Sequence, residues 1–328
     1  MDVAREAGVS VATVSKVING RYGVASETSA RVLQVVHDLG YESSLVARSL
    51  RSHRTGVIGI LVAGFEPFSA EILKGVGTAL RGSPYEVLVY AGGYDREGEG
   101  WERRSLSRLS GTLIDGAVLV TPSIVEVDAG IPLVTIDPHA GPAGLPSVQS
   151  DNFEGAVTAT RYLLELGHRR IAFLAGRADL RSSVLRRDGY EHALAEAGVP
   201  VNPDLVRDGE YLRDVARERA RELLCRHDRP TAVFAANDLS ALGTLDLARE
   251  LGLHVPGDLS ILGFDDIPEA AQAEPPLTTV RQPLQELGRT AIDLLVELLE
   301  GRTPDRPNVT LPTVLVRRDT TAPPARGH

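Results

Sequence analysis

Lys16 is one of only two lysines in the 328-residue chain, and it stands in a stretch built to present it. In Ser10-Val11-Ala12-Thr13-Val14-Ser15-Lys16-Val17-Ile18-Asn19-Gly20, helical spacing gathers Val14, Val17 and Ile18 on one apolar stripe. Val11, Ala12, Ser15, Lys16 and Asn19 fall on the opposite face, which is small, polar and singly charged. Such a face fits a DNA major groove about 12 Å wide, where an ammonium donates to base acceptors and small apolar side chains touch thymine methyls. Ser10 is placed to cap this helix and Gly20 to end it.

A second set of polar residues comes just after apolar runs that read as strands: Phe65-Glu66-Pro67-Phe68, Asp137, Asn237-Asp238 and Asp265-Asp266. In open α/β sheets, ligands bind at these carboxyl ends, and several of the residues are able to orient one. Catalytic chemistry is not indicated. There is no Gly-rich phosphate loop ending in Lys-Ser/Thr and no nucleophile elbow, and Gly75-Val76-Gly77 sits inside a helical pattern. His168 has no metal-ligand partner near it, and Gly93 and Asp95 beside Trp101 make only a loop. The reading is of a protein that is not an enzyme and needs neither metal nor cofactor.

The elements around the first set form a compact pattern. Asp2 to Ala7 is a short helix with Val3, Ala4 and Ala7 inward, and Gly8-Val9-Ser10 is a three-residue turn into the next helix. Two helices joined by a short Gly-containing turn make a helix-turn-helix, although an ordinary helical hairpin shares that pattern. A third helix from Ser26 to Leu39, ended by Gly40, closes a small head.

From Gly56 the chain alternates strand and helix. Val57–Val62, Tyr85–Tyr90, Gly116–Val120 and Pro132–Ile136 read as strands, with helices over Pro67–Arg81 and Trp101–Leu109. After the Gly/Pro-rich loop Pro138–Pro146 a second half begins with Ser147–Asp151 and a helix to Leu166. Its strands are Arg170–Ala175, a short one near Leu205–Tyr211, Ala232–Ala235 and Leu259–Gly263; its helices cover Ser182–Ala197, Arg213–Cys225 and Asp238–Leu251. Leu277–Pro283, the helix Leu284–Glu300 and Val309–Arg317 read as returning connections. The fold class is therefore α/β: a three-helix head followed by a bilobed core of two doubly wound parallel sheets with a cleft between them.

Net charge is −9, yet residues 1–54 carry seven basic against five acidic residues, a balance of +2, while the remainder carries 28 against 39, or −11. That asymmetry suggests that only the head meets phosphate. No apolar run approaches the length of a membrane span, and the N-terminus has no export-signal pattern, so the expected compartment is the cytoplasm. The single cysteine, Cys225, cannot form an intrachain disulfide and reads as a small packing residue in a helix.

The runs Asp2-Val3-Ala4-Arg5-Glu6-Ala7-Gly8-Val9-Ser10 and Thr13-Val14-Ser15-Lys16-Val17-Ile18-Asn19-Gly20 resemble the N-terminal signature of the lactose- and galactose-repressor (LacI/GalR) transcription regulators. The resemblance continues through Leu39-Gly40-Tyr41 and Val46-Ala47-Arg48-Ser49-Leu50 and reaches to about residue 320. Two features depart from it. Ala25 stands where the third helix usually gains its capping Ser, and the residues that usually precede Asp2 are missing. An α-ammonium at Met1 would lie beside the positive end of helix one, so the native start is expected upstream.

The resemblance implies a periplasmic-binding-protein-like core and a homodimer that grips palindromic double-stranded operator DNA. Val11, Ala12, Thr13, Ser15, Lys16, Asn19 and Tyr41 would serve DNA contact, and the segment 44–55 would be a hinge. Its Leu45–Leu50 turn is too short to stand alone in water and would order on DNA, with Leu50 wedged into the minor groove. The incidental alternative for this segment is a flexible linker. The expected division is 1–43 for the head, 44–55 for the hinge, 56–150 with 283–311 for the first lobe and 151–282 with 312–320 for the second. Residues 321–328 would be a disordered tail without a tetramerising heptad pattern.

For the small-molecule effector the resemblance implies Phe68, Asp137, Arg186, Tyr211, Asn237, Asp265 and Gln282. Singly, each has a plainer role: Asp137 and Asp265 as helix caps, Arg186 as a solvated charge, Tyr211 as core. Taken as a set they converge on one cleft. Two carboxylates against one guanidinium would repel an anion and suit a neutral sugar, with Phe68 and Tyr211 stacking on its ring. A purine is the competing effector class, and a secreted solute-binding protein the competing protein class; the latter needs an export signal and lacks a DNA-reading head. The function expected is a sequence-specific regulator, a repressor under small-molecule control.

Overall fold

The computed structural model describes residues 2–18, 23–38, 54–92, 100–123, 129–139 and 144–325. The chain falls into two compact units, one built on residues 1–55 and one on residues 56–110 and 114–328.

In the first unit α1 (Asp2–Glu6), α2 (Val11–Ile18) and α3 (Ser26–Asp38) pack on one another. Their shared core is Val3, Ala7, Val14 and Val32, with Val9, Val17, Val35 and Val36 half-buried around it. Gly8 takes φ +65°, which lets the chain turn sharply between α1 and α2. The Ser10 hydroxyl accepts from Thr13 N–H at 3.1 Å, the cap expected from the sequence. Leu33, apolar and on α3, points to solvent.

The second unit holds two six-stranded sheets. The first lobe has the order β11-β5-β4-β3-β1-β2, all parallel, from β1 (Val57–Val62), β2 (Glu86–Ala91), β3 (Gly116–Val120), β4 (Leu133–Ile136), β5 (Ser147–Ser150) and β11 (Asn308–Leu311). The second has the order β12-β10-β9-β8-β6-β7, from β6 (Ile171–Ala175), β7 (Val206–Asp208), β8 (Ala232–Ala235), β9 (Ser260–Asp265), β10 (Thr278–Arg281) and β12 (Val314–Val316). Only β12 runs antiparallel there. The central strands β1, β3, β4, β6, β8 and β9 are buried throughout, as their near-continuous apolar runs require.

Helices cover both faces: α4 (Pro67–Ala79), α5 (Trp101–Leu109) and α11 (Leu284–Leu299) in the first lobe. In the second lie α6 (Asn152–Glu165), α7 (Arg181–Glu196), α8 (Arg213–Leu224), α9 (Asp238–Glu250) and the short α10 (Pro268–Gln272). The chain passes between lobes after β5, after β10 and between β11 and β12, so the run read as one connection over Val309–Arg317 divides between the two sheets.

The start of the expected disordered tail needs correction. Thr320 is buried, and its hydroxyl donates to Ile261 O at 2.7 Å and accepts from Thr278 N–H at 2.8 Å. Thr321 bonds Tyr162 at 2.9 Å, and Ala322 O meets the His168 ring and the Ser260 hydroxyl at 3.0 Å each. A polar, Pro-rich composition does not show that buried groups elsewhere in the chain already wait for these residues.

Candidate functional site: the cleft between two sheets and the face of a short helix

On α2 the exposed side is the one the helical spacing assigns to DNA. Val11 is 60% exposed, and Ala12 and Lys16 are exposed beside it. Thr13 and Ser15 are half-buried, Thr13 being held against the Ser10 hydroxyl at 2.9 Å. Asn19, Tyr41, Leu50 and the hinge helix around Leu45–Leu50 lie outside the described residues.

In the second unit, backbone strain marks the carboxyl edges of the sheets. Among the described residues, every non-glycine with positive φ sits at or just past the end of a strand: Thr121 (+48°), Asp137 (+44°), Glu210 (+55°), Tyr211 (+63°), Asp265 (+119°) and Asp266 (+59°). Such conformations cost on the order of 1–3 kcal/mol each and concentrate where function needs a side chain aimed off the sheet.

Arg186 is the centre of this edge. It projects from the second turn of α7 and is 3% exposed. Its Nε donates to Asn152 Oδ1 at 2.8 Å, and its Nη1 donates to Ala236 O and lies 3.4 Å from Asp265 Oδ1. The guanidinium carbon stacks 3.8 Å above the Phe264 ring and stands 5.5 Å from the Tyr211 ring centre. Gln282 donates to the same Asp265 oxygen at 2.7 Å, while its own Oε1 is buried and has no partner among the described residues.

Asp137 enters from the first lobe. Its carboxylate accepts from Ser150 N–H at 3.3 Å, and the Ser150 hydroxyl is buried and likewise unpartnered among the described residues. Burial pushes the Asp137 carboxyl up to about 6, opposed by Arg186 and reinforced by the charge of Asp265. Burial also lifts Asp265 to about 6 against the pull of Arg186 and Gln282. Asp238, fully buried, is held well above the usual carboxylate range by burial and then by the charge of Asp265; it accepts from Thr279 at 2.5 Å and Ile267 N–H at 2.9 Å. Asp266 has its own cations, Arg281 at 2.7 Å and Arg318 at 2.5 Å.

Most of the plainer roles fall away on this geometry. Neither Asp137 nor Asp265 caps a helix: α6 is capped by Asp151, and α10 has no side-chain cap. Asn237 does cap, accepting from Ser240 N–H at 3.0 Å and donating to Tyr211 O at 3.0 Å, so it holds Tyr211 against the site as well. Arg186 is buried rather than solvated, and Tyr211 is half-buried over Gly176, where any Cβ would overlap its ring. Phe68, half-buried at the start of α4, packs on the first lobe's core and makes no described contact with this group. Ser150, Asn152 and Phe264 escaped the sequence reading. The first two fall at a strand end and a helix start, and Phe264 is given no role there.

A small head with a groove-sized helix face and two α/β lobes with polar strand ends define a DNA-binding regulator with a ligand-receiving core. Residues 1–44 match the bacterial regulatory proteins of the lacI family, and residues 160–321 match the periplasmic binding protein-like domain. The chain is 35% identical to the transcriptional repressor PurR of Photobacterium profundum, over 93% of each chain. A solved structure of the transcriptional regulator CelR–cellobiose complex is 35% identical, with TM-score 0.74 and 97% and 98% of the two chains covered. The Lac repressor dimer bound to operator and the anti-inducer ONPF is 28% identical, with TM-score 0.84 over 98% of each. The chain belongs to the lacI family. It is a DNA-binding transcriptional regulator and not an enzyme.

Proposed function

We propose that the protein is a cytoplasmic homodimeric repressor that releases or holds a palindromic operator in response to a neutral sugar in the interlobe cleft. Val11, Ala12 and Lys16 read the major groove, with Thr13, Ser15 and Asn19 on phosphate or the groove edge and Tyr41 beside them. Residues 44–55 are the hinge, with Leu50 the wedge at the operator centre. The lobes comprise 56–150 with 283–311 and 151–282 with 312–320.

One observation carries the choice of ligand: Arg186 is the one buried guanidinium described beside two buried carboxylates, Asp137 and Asp265, while Gln282 Oε1 and Ser150 Oγ lack partners among the described residues. A phosphate or carboxylate entering there meets net repulsion, whereas hydroxyls can donate to the carboxylates and Gln282 and accept from Ser150 and Arg186. Tyr211 offers a ring face for the apolar side of a pyranose, and Asp137, Arg186, Asn237, Asp265 and Gln282 orient it; Phe68 is the more distant member of the set. CelR, with cellobiose bound in its solved structure, supports the sugar class. Closure on the ligand changes hinge pairing only to the extent that the ligand prefers one lobe arrangement.

The test is selection of bound duplexes from a random pool, followed by titration of the complex with cellobiose, other neutral sugars and purine bases. A palindromic preference altered by a sugar is expected. A response to purines alone would transfer the site to the purine class, and no preference for any duplex would end the proposal.

A further inference from the structure

Two successive carboxylates at the end of β9 meet different cations. Asp265 lies 3.4 Å from Arg186 and accepts from Gln282 at 2.7 Å, whereas Asp266 accepts from Arg281 Nε at 2.7 Å and from Arg318 Nη2 at 2.5 Å. Both residues hold positive φ, +119° and +59°, a pair of conformations that non-glycine residues keep only where their surroundings fix them. A return of Asp265 to negative φ would reorient its Cα–Cβ bond and carry the carboxylate away from Gln282. Three fastenings oppose that return. Asp265 O accepts from Gln282 N–H at 3.2 Å, Ile267 N–H donates to Asp238 Oδ2 at 2.9 Å, and between them the Asp266 side chain is held by its two guanidiniums.

Those guanidiniums are unequal partners. The Arg281 side chain is 55% exposed, so water screens its pair, while that of Arg318 is 17% exposed and is itself anchored. Arg318 Nη1 donates to Leu277 O at 2.7 Å and its N–H to Thr278 Oγ1 at 2.9 Å; just beyond it Thr320 and Ala322 are bonded to β9. Asp266 is thus tied to a framework of β9, β10 and the C-terminal segment. We propose that Asp266, gripped by Arg318, is a positioning residue of the ligand site: it keeps the strained turn closed and so aims the Asp265 carboxylate into the cleft. Its effect on binding rests on the sugar reading of the site, its effect on geometry does not.

Asparagine tolerates positive φ, so Asp266→Asn removes the charge without adding strain, and Arg318→Met removes the grip from the other side. Tyr190→Phe, which loses a buried hydroxyl donating to Ile171 O at 2.9 Å, is a destabilising control elsewhere in the second lobe. Full-length wild type, these three, the Asp266→Asn, Arg318→Met double variant and Arg281→Met are titrated with cellobiose and a panel of neutral mono- and disaccharides. Ligand-free melting temperatures, and ligand-free crystal structures of wild type and the two single clamp variants, accompany the titrations. Expected is a loss of sugar affinity of about tenfold or more in each clamp variant, no larger in the double, with Arg281→Met and Tyr190→Phe binding as wild type does. In the crystals the Asp265 carboxylate of the clamp variants is expected beyond hydrogen-bond reach of Gln282. An Asp265 carboxylate unmoved in both variants overturns the inference, whether or not any sugar binds. Loss of affinity in Tyr190→Phe in the same proportion to melting temperature as in Asp266→Asn makes the clamp merely structural and overturns it too. Absence of sugar binding by wild type overturns the sugar reading alone, and the crystal structures then decide the positioning role.

Discussion

Arg186 and Asp265 lie 3.4 Å apart with side chains 4% and 7% exposed, and the pair joins α7 to the end of β9 at the bottom of the cleft. Because the distance is long for a charge-assisted hydrogen bond, the guanidinium is held mainly by Asn152, Ala236 O and the Phe264 face, and Asp265 mainly by Gln282. The pair is a positioned cation and a positioned anion sharing one wall, each with capacity left for a third party.

Removing only the cation strands the carboxylate. Arg186→Ala is expected to destabilise the second unit by about 3–5 kcal/mol, the usual cost of breaking a buried pair from one side. Arg186→Ala combined with Asp265→Asn should lose less than Arg186→Ala alone, since only the Asp137 carboxylate is then left without its cation. Urea unfolding of wild type and the two variants checks this, and a loss under about 1 kcal/mol for Arg186→Ala would mean that the buried pair does not brace the site.

The same carboxyls set a pH dependence with two opposing parts. Asp137 and Asp265 are raised to about 6, above an unfolded value near 3.9, so their contribution is fully present below the unfolded value and lost as pH rises through 6. His139 is lowered to about 4 and His168 is lowered as well, so theirs is present above about 6.5 and lost as pH falls towards 4. In the window from about 4 to 6.5 the two trends oppose each other. Because Asp238 is held above the usual range as well and adds to the first trend, stability to denaturant across that window should fall with pH for wild type and fall less steeply for an Asp137→Asn, Asp265→Asn double variant. A profile in the double variant parallel to wild type would show that these carboxyls titrate normally.

Much of this architecture is legible in the chain itself. Short continuous apolar runs rich in Val and Ile, such as Val57–Val62, read as strands covered on both faces, and the polar residue that ends each run falls at the cleft by topology. What stays hidden is pairing at a distance. Nothing near Phe264 says that the guanidinium of Arg186, far back in the chain, stacks on it, and nothing near Thr320 shows that Ile261 O and Thr278 N–H receive it. Nothing in the Gly/Pro-rich loop around His139 shows that its carbonyl meets α7.

Two glycines let α4 and α11 cross at backbone contact in the first lobe. A Cβ on Gly75 would overlap the Gln285 backbone, and one on Gly288 would overlap the Ile72 carbonyl. Alanine at either is expected to cost about 1–3 kcal/mol or more, because a neighbouring main chain cannot swing aside as a side chain can. Gly77, on the same α4, has nothing within 4 Å of its would-be Cβ, so Gly77→Ala should stabilise by about 0.5–1 kcal/mol through helix propensity alone. Melting temperatures moving in opposite directions for Gly75→Ala and Gly77→Ala verify the crossing; equal shifts would refute it.

If α2 reads the major groove as proposed, Lys16 has to supply most base hydrogen bonding, because Val11 and Ala12 beside it have no polar side-chain atoms. If it reads a guanine edge, Lys16→Ala costs about 1–3 kcal/mol on the selected operator and flattens preference at one position in each half-site. If it meets phosphate instead, affinity falls alike on all sequences and the salt dependence loses about one counterion per head. Binding measured on operator and scrambled duplex at several salt concentrations separates the two. The exposed Val11 favours the first outcome: a valine left 60% in solvent gains its burial only when the helix lies deep in the groove, close enough for its neighbour to reach base edges.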